Sequence, residues 1–174
     1  MPVARALKLE ERDAFNSLAG RLGCPFTLAY GAEKKHKRSD QSYRYSVVDC
    51  LPSAGDKGGN PESEQRSKPP ALVGLSVARQ SAETVELLYI AVLEECRGMG
   101  YATGLLDRLV CSSREMLCKE IVLEVRQSND AARKLYENFD FKLLGERPAY
   151  YPALETGKPR ETAIIYRLAL DSKS

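Results

Sequence analysis

Hydrophobic positions divide the chain most clearly between Leu87 and Phe141. Leu87-Leu88-Tyr89-Ile90-Ala91-Val92 is a continuous apolar run, as expected of a buried strand. After the polar, glycine-containing stretch Arg97-Gly98-Met99-Gly100, apolar residues recur at Ala102, Leu105, Leu106, Leu109 and Val110. That i, i+3, i+4, i+7, i+8 spacing predicts an amphipathic helix over Gly100 to about Leu117. Ile121, Leu123 and Val125 then alternate with Val122, Glu124 and Arg126, the period of a strand. Asn129 follows as a good N-cap, and Ala132, Leu135, Tyr136 and Phe139 predict the buried stripe of a second helix. Asp140 stands at the C′ position usually taken by glycine, where a left-handed conformation is needed.

The flanks extend this pattern. Leu7–Leu22 reads as a helix ending at Gly23, and Leu28–His36 as a short second helix with Thr27 as its N-cap. Strands are expected at Tyr43–Leu51, Ala71–Val77, Glu83–Val92, Phe141–Leu144 and Ala163–Leu170, with one more near Val3–Leu7. Residues Pro52–Pro70 hold four prolines, three glycines and no aromatic side chain, and read as a flexible insert between two strands. The order ααβββαβαββ predicts a mixed α/β (α+β) domain, a largely antiparallel sheet flanked by helices, spanning residues 1–174 as one unit.

Composition narrows the function classes. At 174 residues with 43% apolar content, the chain can bury a substantial core. A net charge of +2 gives no strong field for nucleic acid or membrane. No apolar run approaches the roughly 18 residues of a transmembrane helix, and no signal-peptide core is visible, so a cytoplasmic setting is expected. The five cysteines are odd in number and form no C-x-x-C pair, which favours reduced thiols over disulfides or zinc. His36 is the single histidine, leaving little basis for a metal site or a Ser-His-Asp triad. The basic run Lys34–Arg38 reads either as a solvated helix end or as an RNA-contacting or targeting segment.

Three places could carry chemistry. The glycine turn Arg97–Ala102, between a buried strand and a helix start, offers orphan backbone N–H groups and the positive end of a helix dipole. It is not a dinucleotide fingerprint, because the residue three after Gly100 is Thr103, and the chain has no Gly-Lys-Ser/Thr phosphate loop. An ordinary strand-to-helix connection is the alternative reading. Glu124 interrupts an otherwise apolar strand, either as a carboxylate paired with Arg126 or another cation, or as a functional acid or base. Tyr136 lies seven residues after Asn129, which puts both on one edge of a helix, and is equally readable as a core tyrosine.

Arg97-x-x-Gly100-x-Ala102 resembles the pyrophosphate-binding signature of the GNAT N-acetyltransferase superfamily. Leu123-Glu124-Val125-Arg126-Gln127-Ser128-Asn129, Leu135-Tyr136-Glu137, Tyr150-Tyr151-Pro152 and Glu161-Thr162-Ala163-Ile164-Ile165 are similar to blocks of its RimI-type members, the ribosomal-protein-alanine N-acetyltransferases. The likeness is tight over Leu87–Leu170 and weak before it. It implies the GNAT fold and transfer of an acetyl group from acetyl-CoA to a protein or peptide N-terminus, without a metal. A ribosomal protein, and with it ribosome association, is one substrate it brings into view.

The same resemblance implies roles. Glu124 would be the general base and Tyr136 the general acid. Asn129 would hold the pantetheine arm. Backbone amides of Ile90 and Val92 would bind pantetheine and acetyl, and those of Arg97, Gly98, Met99, Gly100, Tyr101 and Ala102 the pyrophosphate. Tyr150 and Tyr151 would border the peptide. Acetylation of lysine or small amines, and a non-catalytic CoA-binding adaptor, are the alternatives. The insert at 52–70 and Asp140 depart from the family pattern.

Overall fold

The computed structural model describes residues 4–6, 12–24, 41–49 and 72–170. The elements are β1 (Ala4–Ala6), α1 (Arg12–Leu22), β2 (Gln41–Asp49), β3 (Leu72–Ser81) and β4 (Thr84–Val92), then a 3₁₀ turn (Glu94–Cys96). They continue with α2 (Tyr101–Glu115), β5 (Glu120–Arg126), α3 (Asp130–Asn138), β6 (Lys142–Tyr151) and β7 (Glu161–Ala169). The strands order as β1-β2-β3-β4-β5-β7-β6. β1 with β2, β5 with β7 and β6 with β7 are antiparallel, and β4 with β5 is parallel. This is the mixed, largely antiparallel α/β class that the element order predicts. The short first strand, the helix stop at Gly23 (φ 65°) and the helix–strand–helix succession after Val92 all appear as expected. The expected helix at Leu28–His36 with its Thr27 cap, the basic run Lys34–Arg38 and the insert Pro52–Pro70 lie outside the described residues.

The chain resolves into two compact units. Among the described residues, the first comprises 4–6, 12–24, 45–49, 72–76 and 90–108. Its buried side chains include Phe15, Leu18 and Ala19 of α1, Leu72, Val73 and Leu75 of β3, and Leu105 and Leu106 of α2. The second comprises, of the described residues, 41–44, 77–89 and 109–170. Its core is built by Ile121, Leu123 and Val125 of β5, Ile164, Tyr166 and Leu168 of β7, and Tyr136 and Phe141. Strand alternation accounts for the β5 set, since every second residue there is buried. The described cysteines Cys24, Cys96, Cys111 and Cys118 form no disulfide among the described residues. Among the described residues no helix is long and apolar enough to cross a membrane.

Two expectations need correction. The stripe on α3 is shallower than its spacing predicts, for only Tyr136 is buried while Ala132, Leu135 and Phe139 are half-buried. The strand expected at Phe141–Leu144 runs instead from Lys142 through Tyr151. Its register against β7 shifts between Leu143 and Gly145 and again between Arg147 and Tyr151. Each shift breaks the two-residue period, so alternation in the sequence cannot reveal the second half of the strand. β6 is also a terminal strand of the sheet, and its bulges, Lys142 and Pro148 make it a poor template for further pairing.

Asp140 adopts the left-handed conformation expected at C′, with φ 63°. Its amide donates to Glu137 O, and the Phe141 amide donates to Tyr136 O, closing α3. Asp140→Gly removes the Cβ penalty and only an exposed ion pair to Lys142. The expected gain is about 0.5 kcal/mol, read as a higher urea midpoint at unchanged slope.

Candidate active site

In the first unit, β4 runs into the glycine turn. Leu93 N–H donates to Val73 O, and the 3₁₀ turn carries the chain to Arg97, whose Nε donates to Val92 O at 3.4 Å. Gly98 and Gly100 have φ of 76° and 81°, conformations that glycine reaches without strain. The first intrahelical bond of α2 runs from Gly104 N–H to Gly100 O. The amides of Ala102 and Thr103 precede it, and they belong to the orphan donors of a helix start. No acidic side chain stands in the first turn of α2, and a Cβ placed on Gly98 would meet nothing within 4 Å. An exposed cation, Arg97, two left-handed glycines and an unblocked helix start suit an anionic phosphate group. Met99 is exposed and Tyr101 is buried. Ile90 and Val92 lie at the end of β4, beyond its ladder with β5, which covers Thr84–Leu87 and Glu120–Leu123.

In the second unit, Glu124 is a carboxylate on β5 opposite Ile165 of β7. Its cation partner is Arg147 of β6, with Nη1 2.8 Å from Oε1. Arg126, the nearer candidate in sequence, pairs instead with Glu161 at 2.9 Å. Arg126 also donates to Pro152 O at 3.0 Å and lies 4.6 Å from the centre of the Tyr151 ring. The second oxygen of Glu161 accepts the Ser128 amide at 2.6 Å. One ion pair therefore fixes the end of β5, the turn into α3, the start of β7 and the Tyr151–Pro152 segment together.

That fixation has a pH signature. Hydrogen bonds from Ser128, followed by Arg126, hold the Glu161 carboxyl below its ordinary value of 4.5. A depressed carboxyl stabilises the fold above its unfolded pKa and loses that contribution as pH falls through the folded value. Glu161→Gln is therefore expected to be less stable than the parent above about pH 5, the gap closing as pH falls below 4.5. Thermal melts across pH 3–7 measure it; a gap independent of pH would contradict the linkage.

Tyr150 and Tyr151 come from the second bulge of β6 and stand edge to face, 5.1 Å between ring centres. Ala149 in this bulge has φ 52°, and Arg160 donates to the Ala149 and Tyr150 carbonyls. The Tyr150 phenol is raised above its usual pKa first by its hydrogen bond to Glu124 and then by that carboxylate's charge. The Tyr151 phenol is raised by burial first and next by Glu124. Both stay protonated near neutrality, and Tyr150 donates to Glu124.

Tyr136 is buried, packed on Phe141 and Tyr166 at ring distances of 5.7 and 6.2 Å. Burial, and less so the Tyr151 phenol, push its pKa far up. Asn129 caps α3, its Oδ1 accepting from the Ala132 amide at 3.2 Å. Sequence spacing puts Asn129 and Tyr136 on one helix edge, but Asn129 lies outside the helical turns, with ψ 69°, so that phase count does not apply. Register matters further. Glu124 shares a strand face with Val122 and Arg126, whereas Tyr136 packs on Tyr166, the partner of Leu123 on the opposite face. Tyr151 is the group that senses both, being influenced by Glu124 and influencing Tyr136. Arg147 went unnoticed in the sequence, where only Arg126 stands close to Glu124.

The family model described as Acetyltransferase (GNAT) family matches residues 62–141. The bS18-alanine N-acetyltransferase of Haemophilus influenzae is 33% identical over 94 residues, 54% of this chain and 62% of that protein. The chain thus spans about three fifths of that relative's length. The enzyme of the same name from Haemophilus ducreyi is 31% identical over 99 residues, 57% of this chain and 67% of its own. Among solved structures, the ribosomal-protein-S18-alanine N-acetyltransferase of Escherichia coli superposes with a TM-score of 0.68 at 20% identity, covering 100% of this chain and 97% of the other. With the fold, the glycine turn and these likenesses in agreement, the chain belongs to the GNAT family of acetyltransferases.

Proposed function

We propose that this chain is a single GNAT domain, with the segment 52–70 as an insert, that transfers the acetyl group of acetyl-CoA to the N-terminal α-amine of a protein or peptide. The reading is supported by the relatives named for acetylating an alanine of a ribosomal protein. A ribosomal protein, and work at the ribosome, are accordingly the first substrates to try. Reduced, disulfide-free cysteines at the four described positions suit a reducing, cytoplasmic setting.

Acetyl-CoA supplies a thioester-activated acetyl group. In the first unit, backbone amides from Arg97 to Ala102 would hold its pyrophosphate, and those of Ile90 and Val92 its pantetheine and acetyl carbonyl. In the second, Asn129 would hold the pantetheine arm with the amide group left after capping. Glu124 would take the proton that the substrate ammonium must lose, directly or through a water. An α-amine with a pKa near 8 is mostly charged at neutral pH, so this acceptor is needed before attack. Tyr136 would return a proton to the departing thiolate, since burial keeps its phenol protonated through the working range. Tyr150 and Tyr151 would border the peptide.

The observation that carries the reading is Glu124: a partly exposed carboxylate inside an apolar strand, flanked by two tyrosines and tied to an exposed arginine. Free-thiol release from acetyl-CoA, followed with peptides bearing free and blocked N-termini, tests it. Release with the free peptides alone is expected. Equal release with both would redirect the activity to lysine, and none with either would leave a CoA-binding module.

A further inference from the structure

Arg147 is the charged group around Glu124 that the proposed reaction leaves unused. It sits on β6 opposite Ala163 of β7, which in turn faces Arg126 of β5. The three share one face of the sheet, and from that row the guanidinium reaches diagonally to Glu124. The same guanidinium lies 5.6 Å from the centre of the Tyr150 ring, whose hydroxyl also bonds Glu124. The Arg147 side chain is 56% exposed, whereas Arg126, in the ion pair that fixes the neighbouring strands, is 26% exposed. The fold is therefore held by the less exposed pair, and Arg147 is held by Glu124 and the Tyr150 side chain.

We propose that Arg147 occupies the position beside Glu124 that the substrate's α-ammonium takes, and that a peptide N-terminus must displace it to bind. This rests on the acetyl-transfer reading above and adds a competing cation to it. Both groups are cations that seek the same carboxylate oxygen. An exposed ion pair holds its partners by a factor of at most about five, so displacement is affordable for a peptide that also contacts Tyr150 and Tyr151. The displaced guanidinium returns to water, which avoids leaving a buried charge without a partner. Once the ammonium is seated, its proton passes to Glu124 and its lone pair is free to attack. The site thereby discriminates against weakly bound amines, which cannot offset the loss of the Arg147 contact.

The charged and titratable groups around Glu124 are Arg147, Tyr150 and Tyr151 of β6, Arg126 of β5 with its partner Glu161 of β7, and Tyr136 of α3 through Tyr151. Between pH 7 and 9 the substrate amine loses its charge, whereas the raised phenols keep their protons. The test is Arg147→Gln assayed with a free-N-terminus peptide at saturating acetyl-CoA, at pH 7 and pH 9. Calorimetric titration of the same peptide and its N-acetylated form accompanies it. KM for the peptide is expected to fall about two- to five-fold at pH 7 and at pH 9 alike, because the α-amine, charged or neutral, must take the place of the same guanidinium. The acetylated peptide should bind parent and variant alike, and Arg147→Lys, which keeps the competing charge, should keep the parent KM. A KM that rises or stays level at either pH would overturn the proposal and make Arg147 a substrate-binding or structural residue. If the parent acetylates no peptide, the functional reading fails, while calorimetry still judges Arg147 by whether Arg147→Gln tightens the free-amine peptide alone.

Discussion

Glu124→Gln is expected to lower kcat by about 10²–10⁴ while leaving acetyl-CoA affinity within a few-fold of the parent. Glutamine keeps the shape of the side chain but cannot accept the amine proton, so the loss falls on the chemical step. The deficit should shrink as pH rises past about 8, because the substrate amine then arrives neutral and needs no acceptor. Tyr136→Phe should lower kcat over the same range of magnitude without that recovery, because alkaline solution cannot replace a proton donor. Burial raises the Tyr136 phenol well above its usual value, so the parent enzyme should show no alkaline limb from loss of this donor. If Tyr136→Phe recovers at high pH and Glu124→Gln does not, the two roles are exchanged. Full kcat in both variants would make them structural residues.

The second large effect belongs to the glycine turn. Gly100→Val is expected to weaken acetyl-CoA binding more than ten-fold by calorimetry. At φ 81° a β-branched residue is a conformational outlier. The turn would relax toward negative φ and carry the first amides of α2 away from their present direction. Losing even one hydrogen bond to a charged phosphate costs about 1.5–3 kcal/mol, which already exceeds a factor of ten. Gly100→Ala should fall between parent and valine. A folded Gly100→Val protein with undiminished affinity would mean that the phosphate binds elsewhere.

Local chemistry was legible in the sequence wherever a short-range rule decides it. The Asn129 cap, the left-handed Asp140 and the strand-to-helix turn at Gly98–Gly100 each depend on a few adjacent residues, and each appears as read. Features set by register were not legible. Arg147 meets Glu124 only because β7 lies between β5 and β6, a relation no spacing within one element encodes. The length of β6 is hidden by its two bulges, and the opposed faces of Glu124 and Tyr136 follow from the pairing of Leu123 with Tyr166. The sequence offered Arg126 or another cation as the partner of Glu124; the partner is Arg147, while Glu161 and the Tyr151 ring claim Arg126.

The central claim is acetyl transfer to an N-terminal α-amine, and one peptide tests it most directly. A substrate carrying both a free N-terminal alanine and an internal lysine is incubated with the protein and acetyl-CoA, and tandem mass spectrometry locates the added acetyl group. The account predicts a single acetyl group on the α-nitrogen of the alanine, absent when Glu124→Gln is assayed under the same neutral conditions and time. Acetylation of the lysine with the α-amine left free would contradict it.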